Sequence, residues 1–86
     1  MSNNTEQEPF SFNIITVNIR GLNNDVKRTS FFEWLKLKSV DICFVQESYS
    51  TAKIEQVWRN EWGGKIEFSH GTNRSRGCAI FFKSQS

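Results

Sequence analysis

Two short apolar runs, separated by one amphipathic stretch of helix length, restrict what this chain can fold into more than any other feature. Ile14-Ile15-Thr16-Val17 is β-branched throughout and gives way to Asn18. Ile42-Cys43-Phe44-Val45 runs on through Gln46 and is closed by Glu47. Continuous apolar runs of this length suit strands covered on both faces. Two such strands joined by a helix are parallel neighbours in one sheet. Asn18 and Glu47 then arrive at the same edge, where open α/β sheets place their ligands. A carboxylate and an amide brought together there begin a site for a hard cation and a phosphate.

The remaining elements follow from punctuation and periodicity. The first strand is expected over residues 10–18. Gly21 breaks it, and Asn23 or Asn24 caps a following helix. Asp25 in its first turn, with Lys36 and Lys38 near its end, matches the helix dipole. Phe31, Trp34 and Leu35 share one face, which reads as core packing, and Lys27, Arg28, Lys36 and Lys38 read as a wet face. A second helix is expected over residues 51–61, with Ile54, Val57 and Trp58 inward and Gly63-Gly64 as its stop. Residues 65–68 and 78–82 read as two strands joined by the polar hairpin loop 69–77. The order β-α-β-α-β-β predicts an α/β architecture. The final strand is expected to lie at a bare apolar edge, a liability that domains avoid, which suggests part of a larger domain.

Composition narrows the class. The 86 residues amount to one domain at most, and 37% apolar with 14% aromatic residues argue for a packed core rather than disorder. Residues 1–9 are polar and lack the basic and apolar regions of a signal peptide, so they read as a disordered leader, leaving 10–86 as the folded part. With no apolar stretch of membrane-spanning length, no membrane partner is expected and the default location is intracellular. Cys43 and Cys78 each lie in an apolar run and read as buried reduced thiols. One His and two separated Cys do not make a structural zinc site.

Three segments then carry a resemblance. Asn18-Ile19-Arg20-Gly21-Leu22, Val45-Gln46-Glu47-Ser48, and Ser69 through Arg76-Gly77-Cys78-Ala79-Ile80-Phe81-Phe82 resemble, in order, the opening of the endonuclease/exonuclease/phosphatase superfamily. The likeness is greatest to the endonuclease domains of non-long-terminal-repeat retrotransposons and to exonuclease-III-like abasic-site endonucleases. It implies the N-terminal portion of a two-sheet α/β sandwich that hydrolyses phosphodiester bonds with magnesium, or manganese in its place. It implies Glu47 as the metal-ligating carboxylate, Asn18 as the amide positioning the metal or the scissile phosphate, and Gln46 as a support for Glu47. Ser48 stands where the family often has Thr. DNA is the implied substrate of the full domain, with a reverse transcriptase further along the parent protein and a nuclear location if the origin is a retrotransposon.

The family's later motifs, an Asp-and-Asn pair and a closing Asp-His pair among them, have no counterpart here. Asp25 and Asp41 sit at a helix start and a strand start, and His70, the single His, lies in the hairpin loop. The chain is therefore expected to be inactive alone. Arg74 and Arg76 in that loop are candidate contacts to a nucleic-acid backbone. Two other readings remain: a small non-catalytic α/β module binding nucleic acid or protein, and a phosphatase-type member of the same superfamily.

Overall fold

A computed structural model describes residues 12–71 and 76–83. The leader, the first two residues of the expected first strand and Arg74 lie outside the described residues. Strand β1 runs Ile14–Asn18, helix α1 Asp25–Leu37, strand β2 Ile42–Gln46, helix α2 Glu55–Trp62, strand β3 Ile66–Ser69 and strand β4 Cys78–Phe82. A single 3-10 turn, Ala52–Ile54, leads into α2. The β-α-β-α-β-β order is the one expected from the sequence. Asn24 caps α1, its side chain accepting the Lys27 amide at 2.9 Å.

Among the described residues the strands form one four-stranded sheet in the order β1-β2-β4-β3. β1 and β2 are parallel, and β4 is antiparallel to both of its neighbours. The expectation of a bare final strand is therefore corrected: β4 is an inner strand, and β1 and β3 form the edges. The hairpin returns β4 to the inner side of β3, where its amides find partners on both flanks.

Register explains the layering. Ile15, Cys43, Phe81 and Ile66 stand opposite one another across the sheet, as do Val17, Val45, Ala79 and Phe68. These two rows face the helices, and Leu22, Phe31, Phe32, Leu35, Trp58 and Trp62 close over them. Phe81 is the hub: Phe31 and Trp62 meet it edge-on, with ring centroids 6.1 and 5.5 Å away. Such edge-to-face pairs add about 1 kcal/mol each beyond their buried area. The Trp62 indole N–H donates to the Phe82 carbonyl at 2.8 Å, tying α2 to the end of β4.

Several sequence expectations change here. Both helices pack on one face, so the strands alternate rather than being covered twice, and Ile14 is 57% and Phe44 42% exposed on the open face. Phe32, not Trp34, joins Phe31 and Leu35 inside; Trp34 lines the rim of a groove with Phe12, Ile14 and Val40. Val57 is exposed, and Trp62 takes its place in the core. Cys43 is buried, which pushes its thiol up to about 11, whereas Cys78 is exposed on the open face because its parity in β4 is opposite to that of Ala79 and Phe81. Both thiols are free.

Arg28 is the largest correction. Placed on a wet face by sequence, it is only 5% exposed. Its guanidinium donates to both carboxylate oxygens of Glu61, to Asp25 and to the Leu22 carbonyl at 3.0 Å, and lies over the Trp58 ring. The hydrogen bond to Glu61 is the main reason its pKa is raised. One cation thus joins α1, α2 and the loop after β1.

Replacing Arg28 by Leu leaves the buried Leu22 carbonyl without its donor, and a loss of about 2 kcal/mol is expected. Glu61→Gln should cost under about 1 kcal/mol, because Glu61 lies partly in solvent. Urea unfolding of the two variants measures the difference. An equal loss in both would mean that the Leu22 carbonyl bond contributes nothing.

Candidate functional site

The last row of the open face is polar. Asn18, Gln46, Cys78 and Ser69 stand opposite one another at the end where β1 and β2 finish. One residue beyond it, Glu47 leaves the strand in the left-handed region at φ 57°. That turn brings its carboxylate back towards Asn18. The Asn18 Nδ2 donates to Glu47 Oε2 at 2.8 Å. The two side chains that sequence reading places at one edge are thus in contact. The bond also orients the amide: with Nδ2 committed to the carboxylate, Asn18 Oδ1 is left as an acceptor.

Three loops are laced together around this pair. The Gly21 amide donates to the Glu47 carbonyl at 2.6 Å and the Leu22 amide to the Ser48 carbonyl at 3.2 Å. The Ser48 and Tyr49 amides donate to the carbonyls of Gly77 and Arg76, at 3.3 and 2.9 Å. Asn23 Nδ2 donates to the Tyr49 carbonyl at 3.1 Å. Lys27 Nζ donates to the Ile19 carbonyl at 2.6 Å. Left-handed backbone at Arg20, Glu47 and Tyr49 accompanies this lacing, and a non-glycine residue there costs on the order of 1 kcal/mol. Gly21, at φ 96°, sits under the Tyr49 ring, and an added Cβ would lie 2.9 Å from its Cδ2. Gly77 is as confined: a Cβ would meet the Gly71 amide nitrogen at 2.7 Å.

Arg76 reaches the site and Arg74 lies outside the described residues. The Arg76 Nη1 stands 3.5 Å from Glu47 Oε2, the same oxygen that accepts from Asn18. Gln46 supports the edge through its main chain, its carbonyl accepting the Ile19 amide at 3.0 Å. Asp41 accepts the Asn13 amide at the opposite end of β2, and Asp25 pairs with Arg28, so neither approaches Glu47.

A side-chain chain invisible in the sequence backs the Glu47 loop. Ser48 and Ser50 are buried, their hydroxyls 3.2 Å apart. Ser50 Oγ is 2.8 Å from His70 Nδ1, and His70 Nε2 pairs with Glu55, which also takes Arg59 at 3.0 Å. His70 thus fastens the hairpin loop to the Glu47 loop. Its partners lie 15 and 20 residues away, so only the fold reveals them. The exposed Tyr49, unassigned by spacing, lays its ring over Gly21 in the loop after β1.

The donor set at the edge is one carboxylate and one amide, both with oxygen to offer. That suits a hard cation that keeps most of its waters. Among the described residues no group of three or more His, Cys, Asp and Glu side chains is arranged to hold a metal ion. No helix among them is long and apolar enough to cross a membrane.

No family model matches the chain. Over 72 residues it is 29% identical to the transposon TX1 uncharacterized 149 kDa protein of Xenopus laevis. The aligned segment covers 84% of this chain and 6% of that protein. The chain is therefore similar to a small part of a much longer transposon-encoded protein.

The hydrogen bond from His70, and then that from Arg59, holds the Glu55 carboxyl below its ordinary 4.5. A depressed carboxyl stabilises the fold in full above its unfolded pKa and loses that contribution as pH falls through the folded value. Glu55→Gln should therefore be less stable than the parent just above pH 4.5. The gap in urea midpoint should close at lower pH, and a gap that widens on acidification would contradict the assignment.

Proposed function

We propose that this chain supplies one wall of a divalent-metal-dependent phosphodiesterase site in a transposon-derived protein, of the retrotransposon endonuclease type, with DNA as substrate. The observation that carries the reading is the contact between Asn18 and Glu47 at the finishing end of the parallel strands. The likeness to a transposon-encoded protein supports the origin. Glu47 would hold magnesium, or manganese in its place, and the Asn18 carbonyl oxygen would reach the same cation or one of its waters. A cation bound there polarises a phosphoryl oxygen and offsets charge on the leaving group.

The protein's own residues do the rest of this wall's work. Asn18 fixes the Glu47 carboxylate by hydrogen bond and adds no negative charge where a phosphate must approach. The three laced loops hold that geometry before any ligand arrives, which lowers the ordering cost of binding. Asp25, Asp41 and His70 are engaged away from Glu47, with Arg28, with Asn13, and with Ser50 and Glu55. The described residues are therefore read as a binding wall, and water activation is assigned to groups outside them.

The test is a manganese titration of the isotopically labelled chain, read as paramagnetic broadening of amide resonances. Broadening is expected to centre on Asn18, Glu47 and Ser48, and Glu47→Gln should abolish it. Asn18→Asp should tighten manganese binding several-fold by adding a second carboxylate, while weakening association with a short DNA duplex. Broadening that persists in Glu47→Gln, or that centres elsewhere, would remove the basis of the reading.

A further inference from the structure

We infer that Arg76 is an exchangeable counter-ion of Glu47: it neutralises the carboxylate in the free protein, yields it to a divalent cation, and then pairs with the phosphodiester that the cation brings in. The inference rests on the proposed function of the Asn18–Glu47 edge and adds to it a residue that couples cation and substrate binding.

The geometry separates a fixed backbone from a movable side chain. The carbonyls of Arg76 and of Gly77 after it accept the Tyr49 and Ser48 amides, so the main chain here moves with the Glu47 loop. The side chain is free of such ties: it is 62% exposed, against 24% for Glu47. Its Nη1 stands 3.5 Å from Glu47 Oε2, at ion-pair distance and beyond a well-made charge-assisted hydrogen bond. The shorter bond to that oxygen, 2.8 Å, comes from Asn18. Asn18 therefore holds Glu47 in place, while Arg76 supplies charge.

Charge arithmetic gives the exchange. Guanidinium stays protonated throughout the usable pH range. A divalent cation and a guanidinium on one carboxylate oxygen repel each other, and a loosely held, solvent-exposed side chain leaves at little cost. After departure Arg76 stays at the same edge, because its main chain is tied to the Glu47 loop. A phosphodiester drawn to the cation is the next anion it meets, and arginine pairs readily with phosphate oxygens. Arg76 thereby competes with the cation when the site is empty of substrate and cooperates with it when substrate is present. A purely structural ion pair would instead favour the folded chain and leave cation affinity unaltered.

The experiment repeats the manganese titration on the 86-residue chain carrying Arg76→Gln, with Arg76→Met as a second uncharged variant and Arg76→Lys as a charge-retaining control. Without DNA, both uncharged variants should bind manganese about two- to fivefold more tightly than the parent, the range of an exposed ion pair, and Arg76→Lys should stay near the parent. With a short duplex and manganese together, the uncharged variants should bind DNA more weakly, with the salt dependence reduced by about one phosphate contact. Unchanged or weaker manganese binding in both uncharged variants, with broadening still dependent on Glu47, overturns the exchange and leaves the Asn18–Glu47 site standing. Tighter manganese binding with unaltered DNA affinity and salt slope overturns the phosphate half of the inference. Absence of Glu47-dependent broadening in the parent overturns both the site and the exchange.

Discussion

The parallel pairing of β1 with β2 in one register is the constraint from which the rest of the edge follows. Five residue pairs, Ile14 with Ile42 through Asn18 with Gln46, set it. Because strand side chains alternate, a slip of one residue would turn a whole strand over. Val45 would move to the open face, and a polar Gln46 would enter the layer that Phe31, Phe32, Trp62 and Phe81 fill. The aromatic layer therefore protects the register, and the register places Asn18 and Glu47 within reach of each other. Arg28 secures the same arrangement from the helical side. It binds the Leu22 carbonyl in the loop after β1 and Glu61 on α2, so the loop that meets Glu47 cannot drift from the helices.

The covered and open faces differ in a way that isolates the polar edge. On the covered face two apolar rows run across the sheet under the helices. On the open face the rows of Ile14, Ile42 and Phe82, and of Thr16, Phe44, Ile80 and Glu67, give way to Asn18, Gln46, Cys78 and Ser69. On β1 and β2 the open face thus passes from apolar residues to the Asn18 and Gln46 amides where the strands finish. Beyond it the backbone leaves strand geometry at once, with Arg20, Gly21, Glu47 and Tyr49 all in the left-handed region. Regular hydrogen bonding stops there, and the loops satisfy one another's amides and carbonyls instead.

Element order, the parallel pair and the convergence of Asn18 with Glu47 were legible in the sequence, because each rests on local pattern and simple topology. β-branched runs, a capping Asn and helical spacing act over a few residues and survive without knowledge of partners. What was illegible depends on contacts between distant segments. Arg28 looks like any helix-surface cation until Glu61 and the Leu22 carbonyl are brought to it. Phe32 and Trp34 flank the stripe of Phe31 and Leu35 on opposite sides of the helix, and only the placement of α1 over Phe81 decides which is inside. The covering of one face rather than two depends on where both crossovers pack, which periodicity does not report. The position of β4 between β2 and β3 follows from a hairpin folding inward, and sequence order alone does not distinguish that from folding outward. The Ser48–Ser50–His70–Glu55 chain links residues that share no motif.

The identity of the residue beside Glu47 follows from electrostatics at short range. A second carboxylate 2.8 Å from Glu47 would face like-charge repulsion, and one of the two would take up a proton or turn away. An amide avoids this and donates a hydrogen bond to the carboxylate. The edge therefore carries one negative charge from Glu47, with Arg76 against it and Lys27 held on the adjoining loop by the Ile19 carbonyl. That balance sets two cations beside a single carboxylate on a chain whose net charge is only +2. A single fixed anion within a cationic rim can hold a cation and still admit a phosphate, whereas a pair of anions would favour the cation and exclude the phosphate. The amide at position 18 thus keeps this edge at one negative charge, the condition on which the proposed phosphodiester site depends.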